Sequence, residues 1–141
     1  MTFYKKIDIA KDGSKIPYFF NEKPMFSQYN PERDALRFTE DLINLEKNTA
    51  IFIAGIGTAQ HINLILENPK ITIVFALEND KNTLNQIKDF IPTSKKLILC
   101  TINDFSNKII NNYIPQLHGN FLFKPLKSWI LAFKEFNPEF N

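Results

Sequence analysis

The chain has a single cysteine, Cys100, and only two histidines, His61 and His118, in 141 residues. One thiol cannot form an intramolecular disulfide, and its place in an apolar run predicts a buried thiol in a reducing compartment. No Cys/His cluster has zinc spacing, and there is no His-x-x-x-His pair. With two histidines and no Gly-x-Ser-x-Gly elbow, nothing in the pattern favours a hydrolase triad. The phosphate loop Gly-x-x-x-x-Gly-Lys-Ser/Thr is missing, and so is an Asp-x-Asp clamp for metal-held sugar diphosphates. The net charge is only +2 and the basic residues form no block, so nothing in the composition favours nucleic acid. No apolar run approaches the ~18 residues of a membrane span. The start, Met1-Thr2-Phe3-Tyr4-Lys5-Lys6, lacks the apolar stretch of a signal peptide. These absences predict a cytoplasmic chain with no membrane span.

What is present is a core. Hydrophobic residues make up 44% of the chain and aromatics 13%, with 14 phenylalanines, and the length suits one domain. Residues 1–26 are read as a β-hairpin extension, because Ile7-Asp8-Ile9-Ala10 alternates, Asp12-Gly13 signals a turn, and Ile16–Phe20 can return. Residues 27–141 are read as a Rossmann-like domain. Asn30 is a good helix cap with Pro31 at the first helical position, and Ala35, Phe38, Leu42 and Leu45 predict a helix over 31–47. From residue 50 strands and helices alternate: strand 51–54, helix 58–67, strand 71–77, helix 80–90, strand 97–101, helix 104–114, strand 120–124, helix 128–136. Continuous apolar strands alternating with helices predict an α/β fold, an open parallel sheet of about four strands covered on both faces. Right-handed crossovers give the sheet strands the order 3-2-1-4. A sheet that stops after four strands leaves an edge that meets a second copy or the remainder of a larger protein.

The stretch from 51 to 80 carries the chemistry. An apolar run enters Gly55-Ile56-Gly57-Thr58-Ala59-Gln60-His61, a helix follows, and a second apolar run ends on Glu78-Asn79-Asp80. That is the order of parts in a nucleotide-binding βαβ unit. Gly55, Gly57 and Thr58 would receive an anion at the helix start, and Glu78 would accept bonds from ribose or sugar hydroxyls. Asp80 is either a ligand contact or the cap of the next helix. His61 is either structural or a donor facing a phosphate or carboxylate. Arg33 sits where a cation opposes the helix dipole. It either pairs with Glu32, Asp34 or Glu78, or presents its fork to an anion. Tyr29 is expected to pack on the sheet and Trp129 to anchor the last helix. No catalytic residue is assigned.

Two segments together resemble the motility-associated factor (Maf) glycosyltransferases and relatives similar to 6-hydroxymethylpterin diphosphokinases. That family has a helix start Ser-x-Tyr-Asn/Asp-Pro-x-Arg-Glu-Ala followed by a strand into Gly-x-Gly-x-Gly-Tyr-His. Here the first reads Ser27-Gln28-Tyr29-Asn30-Pro31-Glu32-Arg33-Asp34-Ala35, departing only at Asp34. The second keeps Gly55, Gly57 and His61 but has Ala59 and Gln60 for the last glycine and the tyrosine. The resemblance covers the family's N-terminal region and not the central sialyltransferase-like domain thought to hold its transferase site. It implies an accessory, Rossmann-like part of a protein that glycosylates flagellin or another surface protein, with a nucleotide or nucleotide-sugar as ligand and the remainder of a larger transferase as partner. Two other readings stand beside it: an S-adenosylmethionine-dependent methyltransferase, or a scaffold whose pocket is vestigial.

Overall fold

The computed structural model describes residues 1–140. Its centre is a four-stranded parallel sheet of β3 (Thr49–Ala54), β4 (Ile71–Glu78), β5 (Leu97–Thr101) and β6 (Asn120–Pro125). Strands β1 (Tyr4–Ile9) and β2 (Lys15–Phe19) form a separate antiparallel hairpin. The sheet order is β5-β4-β3-β6. Counted over all six strands this is 5-4-3-6; the expected 3-2-1-4 numbered only the strands of the sheet, and the hairpin takes the first two numbers.

The central strands are those with no polar alternation. Every residue of β3 is buried, and β4 is buried at all but Thr72, as strands covered on both faces must be. The helices are α1 (Pro31–Thr39), α2 (Gln60–Leu66), α3 (Lys81–Ile87), α4 (Phe105–Asn112), the short α5 (Pro115–His118) and α6 (Lys127–Phe136). Helix α1 starts where expected: Asn30 Oδ1 accepts from the Arg33 amide at 3.1 Å, and Pro31 opens the first turn. It ends at Thr39 rather than at 47, giving way to a 3-10 turn over Glu40–Leu42. There Thr39 Oγ1 donates back to the Leu36 carbonyl at 3.1 Å, and Asp41 is held by Lys124 at 2.9 Å. Such back-bonding competes with helix continuation, and the tighter turn still buries Leu42.

The hairpin shares the sheet's core. Phe3, Tyr4, Ile16, Phe19, Met25 and Phe26 are buried in the same cluster as Ile51, Val74 and Trp129. Phe3 meets Phe19, Trp129 and Phe136 at ring separations of 5.5, 5.8 and 5.4 Å. Trp129 does anchor α6, fully buried with its indole N–H donating to Glu78 at 2.7 Å. Tyr29, by contrast, lies 61% exposed with the Lys11 ammonium over its ring, not on the sheet. The outer strand β6 is also not covered on both faces: Phe121 and Phe123 are 41% and 55% exposed. Among the described residues no helix is long and apolar enough to cross a membrane.

Candidate functional site

The glycine turn follows β3 at the C-terminal edge of the sheet. Gly55 and Gly57 both have positive φ, +114° and +56°, which a side chain would resist. Both are also crowded. A Cβ on Gly55 would lie 2.8 Å from the Trp129 Cβ, and one on Gly57 would overlap the Met25 sulfur. The two glycines therefore admit side chains of this same chain where a dinucleotide fold admits a ligand.

The anion at this turn is internal. Glu78 is fully buried, and its carboxylate receives five donors. Oε2 accepts from the Tyr4 hydroxyl at 2.6 Å and from the amides of Gly57 at 3.1 Å and Ile56 at 3.3 Å. Oε1 accepts from the Trp129 indole N–H at 2.7 Å and the Asn79 amide at 3.1 Å. All five partners are donors, so the arrangement suits the ionised form. Burial pushes the Glu78 carboxyl up from its ordinary value, while the bonds from Tyr4, Trp129, Gly57 and Asn79 pull it back. The Tyr4 hydroxyl is raised well above the usual tyrosine range, by burial first and then by the Glu78 charge and hydrogen bond. The carboxylate that a βαβ unit would offer to a ribose is instead the occupant of its own glycine turn.

The remaining predicted residues divide by their surroundings. Thr58 is buried, and its hydroxyl donates to the Lys15 carbonyl at 2.8 Å, tying the turn to the hairpin. Ala59, in place of the family's third glycine, sits fully buried with φ +63°. His61 is fully buried between Phe26 and Phe38, with Nε2 at 2.7 Å from the Gly55 carbonyl. That bond makes Nε2 the protonated nitrogen of a neutral ring. Nδ1 has no hydrogen-bond partner, and desolvation lowers the imidazole to about 4. His61 thus faces the core and not an anion.

Asp80 caps α3, its Oδ1 accepting from the Thr83 amide and hydroxyl, each at 2.8 Å. It also lines an open polar crevice of about 420 Å³ with Lys81, Asn82, Thr101, Asn103 and Asp104. Asp104 accepts from the Thr101 amide at 2.7 Å and pairs with Lys108. Arg33 is exposed on the first turn of α1 and pairs with none of Glu32, Asp34 or Glu78. A second cleft, of about 400 Å³, lies between α1 and the start of α6 and is lined by Asp34, Arg37 and Lys127. Gly55, Gly57, His61 and Glu78 are thus brought together, but onto one another; Asp80 and Arg33 stand apart from them. Among the described residues no group of three or more His, Cys, Asp or Glu side chains is placed to hold a metal.

Tyr4, Met25 and Trp129 were not legible as members of this site. Tyr4 and Trp129 lie 74 and 51 residues from Glu78 along the chain, and no local pattern marks either. The Ser27–Ala35 motif is equally structural: Ser27 Oγ accepts from the Tyr29 and Asn30 amides, and Asp34 accepts from the Ser27 amide at 2.6 Å. Compared with known proteins, the chain matches no family model and no curated sequence.

Proposed function

We propose that this chain is an accessory Rossmann-like region of a cytoplasmic, Maf-type glycosyltransferase-like protein, one that works by docking and takes no nucleotide at its glycine turn. The observation that supports the docking role is the filled carboxylate cradle. The Ile56 and Gly57 amides of the turn, and both oxygens that would hold a ribose, are engaged inside the buried core. Opening it for a ligand would strand a buried carboxylate and its donors, at about 1–3 kcal/mol for each neutral group left unpaired and more for the charge. The family membership itself rests on the two motifs, whose residues here build the start of α1 and the plugged turn.

Calorimetric titration with a nucleotide sugar, ATP and S-adenosylmethionine at near-millimolar concentration tests this reading. It expects no saturable heat with any of the three. Saturable binding of S-adenosylmethionine that a Gly57→Val change abolishes, with the fold intact by circular dichroism, would favour the methyltransferase instead. Peptides from the endogenous protein that continue past position 141 into a transferase domain would support the larger-protein part of the proposal.

A further inference from the structure

The two edges of the sheet are finished differently. On β5, the outward carbonyl of Leu99 accepts from Lys108 Nζ at 2.7 Å, and the outward amide of Thr101 donates to Asp104 at 2.7 Å. Both side chains come from α4 and the turn before it, and they cover that edge against pairing with another chain. Strand β6 carries Lys124, but its ammonium turns to Asp41 at 2.9 Å, and among the described residues no side chain covers the strand's outward backbone groups in this way. The Asn120 amide donates to the Asn48 carbonyl and the Leu126 amide to Ala54, so the even-numbered residues face β3. In a parallel ladder the amides and carbonyls of the intervening Phe121 and Phe123 then point outward. No side chain among the described residues bonds to them.

The strand's sequence is close to self-complementary. It reads Asn120-Phe121-Leu122-Phe123-Lys124 and is closed by Pro125, which has no amide to extend a ladder. Placed antiparallel to a second copy about an axis at Leu122, Phe121 falls opposite the other Phe123. That alignment satisfies all four outward backbone groups of each copy and makes two aromatic cross-strand pairs on one face. No slipped register does both. The area also suffices. At about 200 Å² per ring, the exposed parts of Phe121 and Phe123 supply roughly 190 Å² of apolar surface. Ile114 and Leu117, in the turn and helix that lead into β6, are 49% and 65% exposed and roughly double it. Covered in full and with the usual polar share, this surface gives at most roughly 600 Å² per copy, against the roughly 500 Å² that a specific contact needs.

We propose that β6 is a homodimerisation edge, joining two copies antiparallel about Leu122 into one sheet of eight strands, four from each copy. The inference deepens the docking reading by naming a second copy as the occupant. Sedimentation equilibrium on the whole chain should show a dimer at micromolar to submillimolar protein, and Phe123→Lys should raise its Kd at least tenfold. Leu122→Cys tests the register. The two thiols would face one another across a non-hydrogen-bonded pair with Cα atoms about 4.5 Å apart, within disulfide reach. Mild oxidation should therefore cross-link Leu122→Cys. Phe123→Cys should stay uncross-linked, its two copies about 8 Å apart. The native Cys100 is buried and does not compete. A monomer throughout that range, or a dimer that Leu122→Cys fails to cross-link, overturns the proposal. A further segment of a longer chain paired on β6 would show as the monomer. Saturable nucleotide binding would overturn the accessory reading above and leave this dimer standing.

Discussion

Replacing His61 by glutamine should flatten the acid side of the stability profile. The imidazole is fully buried, with only one of its nitrogens bonded, so the core disfavours its charged form and lowers it from 6.5 to about 4. Between those values the unfolded chain binds a proton that the folded chain refuses. Stability from this residue is therefore complete above pH of about 7.5 and is lost as pH falls through 6.5 toward 4. Integrated from pH of about 7.5 to 4.5, the loss is about 2.5 kcal/mol, with a slope approaching 1.4 kcal/mol per pH unit in mid-window. His61→Gln keeps an amide that can donate to the Gly55 carbonyl but cannot titrate. Glu78 contributes with the opposite sign: its raised folded value makes its term less favourable as pH rises, and it cancels in the difference between the two proteins. The assay is urea unfolding followed by the single tryptophan, Trp129, across that pH range. Profiles for wild type and His61→Gln that stay parallel to within about 0.5 kcal/mol would refute the dry, neutral histidine.

Two substitutions test the plugged turn. Glu78→Ala leaves the Trp129 indole and three amides without an acceptor and the Tyr4 hydroxyl with only the Met25 sulfur at 3.8 Å, and should cost at least about 4 kcal/mol at about 1–3 kcal/mol per stranded donor. Glu78→Gln, which keeps the shape but turns an N–H₂ toward donors, should lose less, about 2–3 kcal/mol. A urea midpoint for Glu78→Ala within about 1 kcal/mol of wild type would mean that water reaches the cradle. Gly55→Ala combines a positive φ with a methyl forced against Trp129, and should lose about 2–4 kcal/mol with a shift in tryptophan emission. An unshifted spectrum and an unchanged thermal midpoint would show that the helix can slide away.

The alternation of strands and helices was readable from the chain because each element declares itself within ten residues. β3 and β4 are near-continuous apolar runs, Asn30-Pro31 starts a helix, and Asp12-Gly13 turns a hairpin. Helix α1 was overextended because Leu42 and Leu45 keep helical spacing while the chain changes to a 3-10 turn; spacing alone does not separate the two. The short helix α5 was missed because four residues carry no period.

The glycines, the histidine and the acid of the candidate site were likewise visible, as residue types in the right order. Their chemistry was not. An acid after a βαβ glycine turn looks the same whether it will meet a ribose or the turn's own amides. The choice belongs to Tyr4 and Trp129, which arrive from the far ends of the chain and exclude water from Glu78. The order of the elements and the identity of the central strands were set locally, since they follow from periodicity and apolar content along the chain. That the glycine turn is filled and β6 left open follows from the folded arrangement, because burial and the pairing of backbone groups are properties of distant segments brought together.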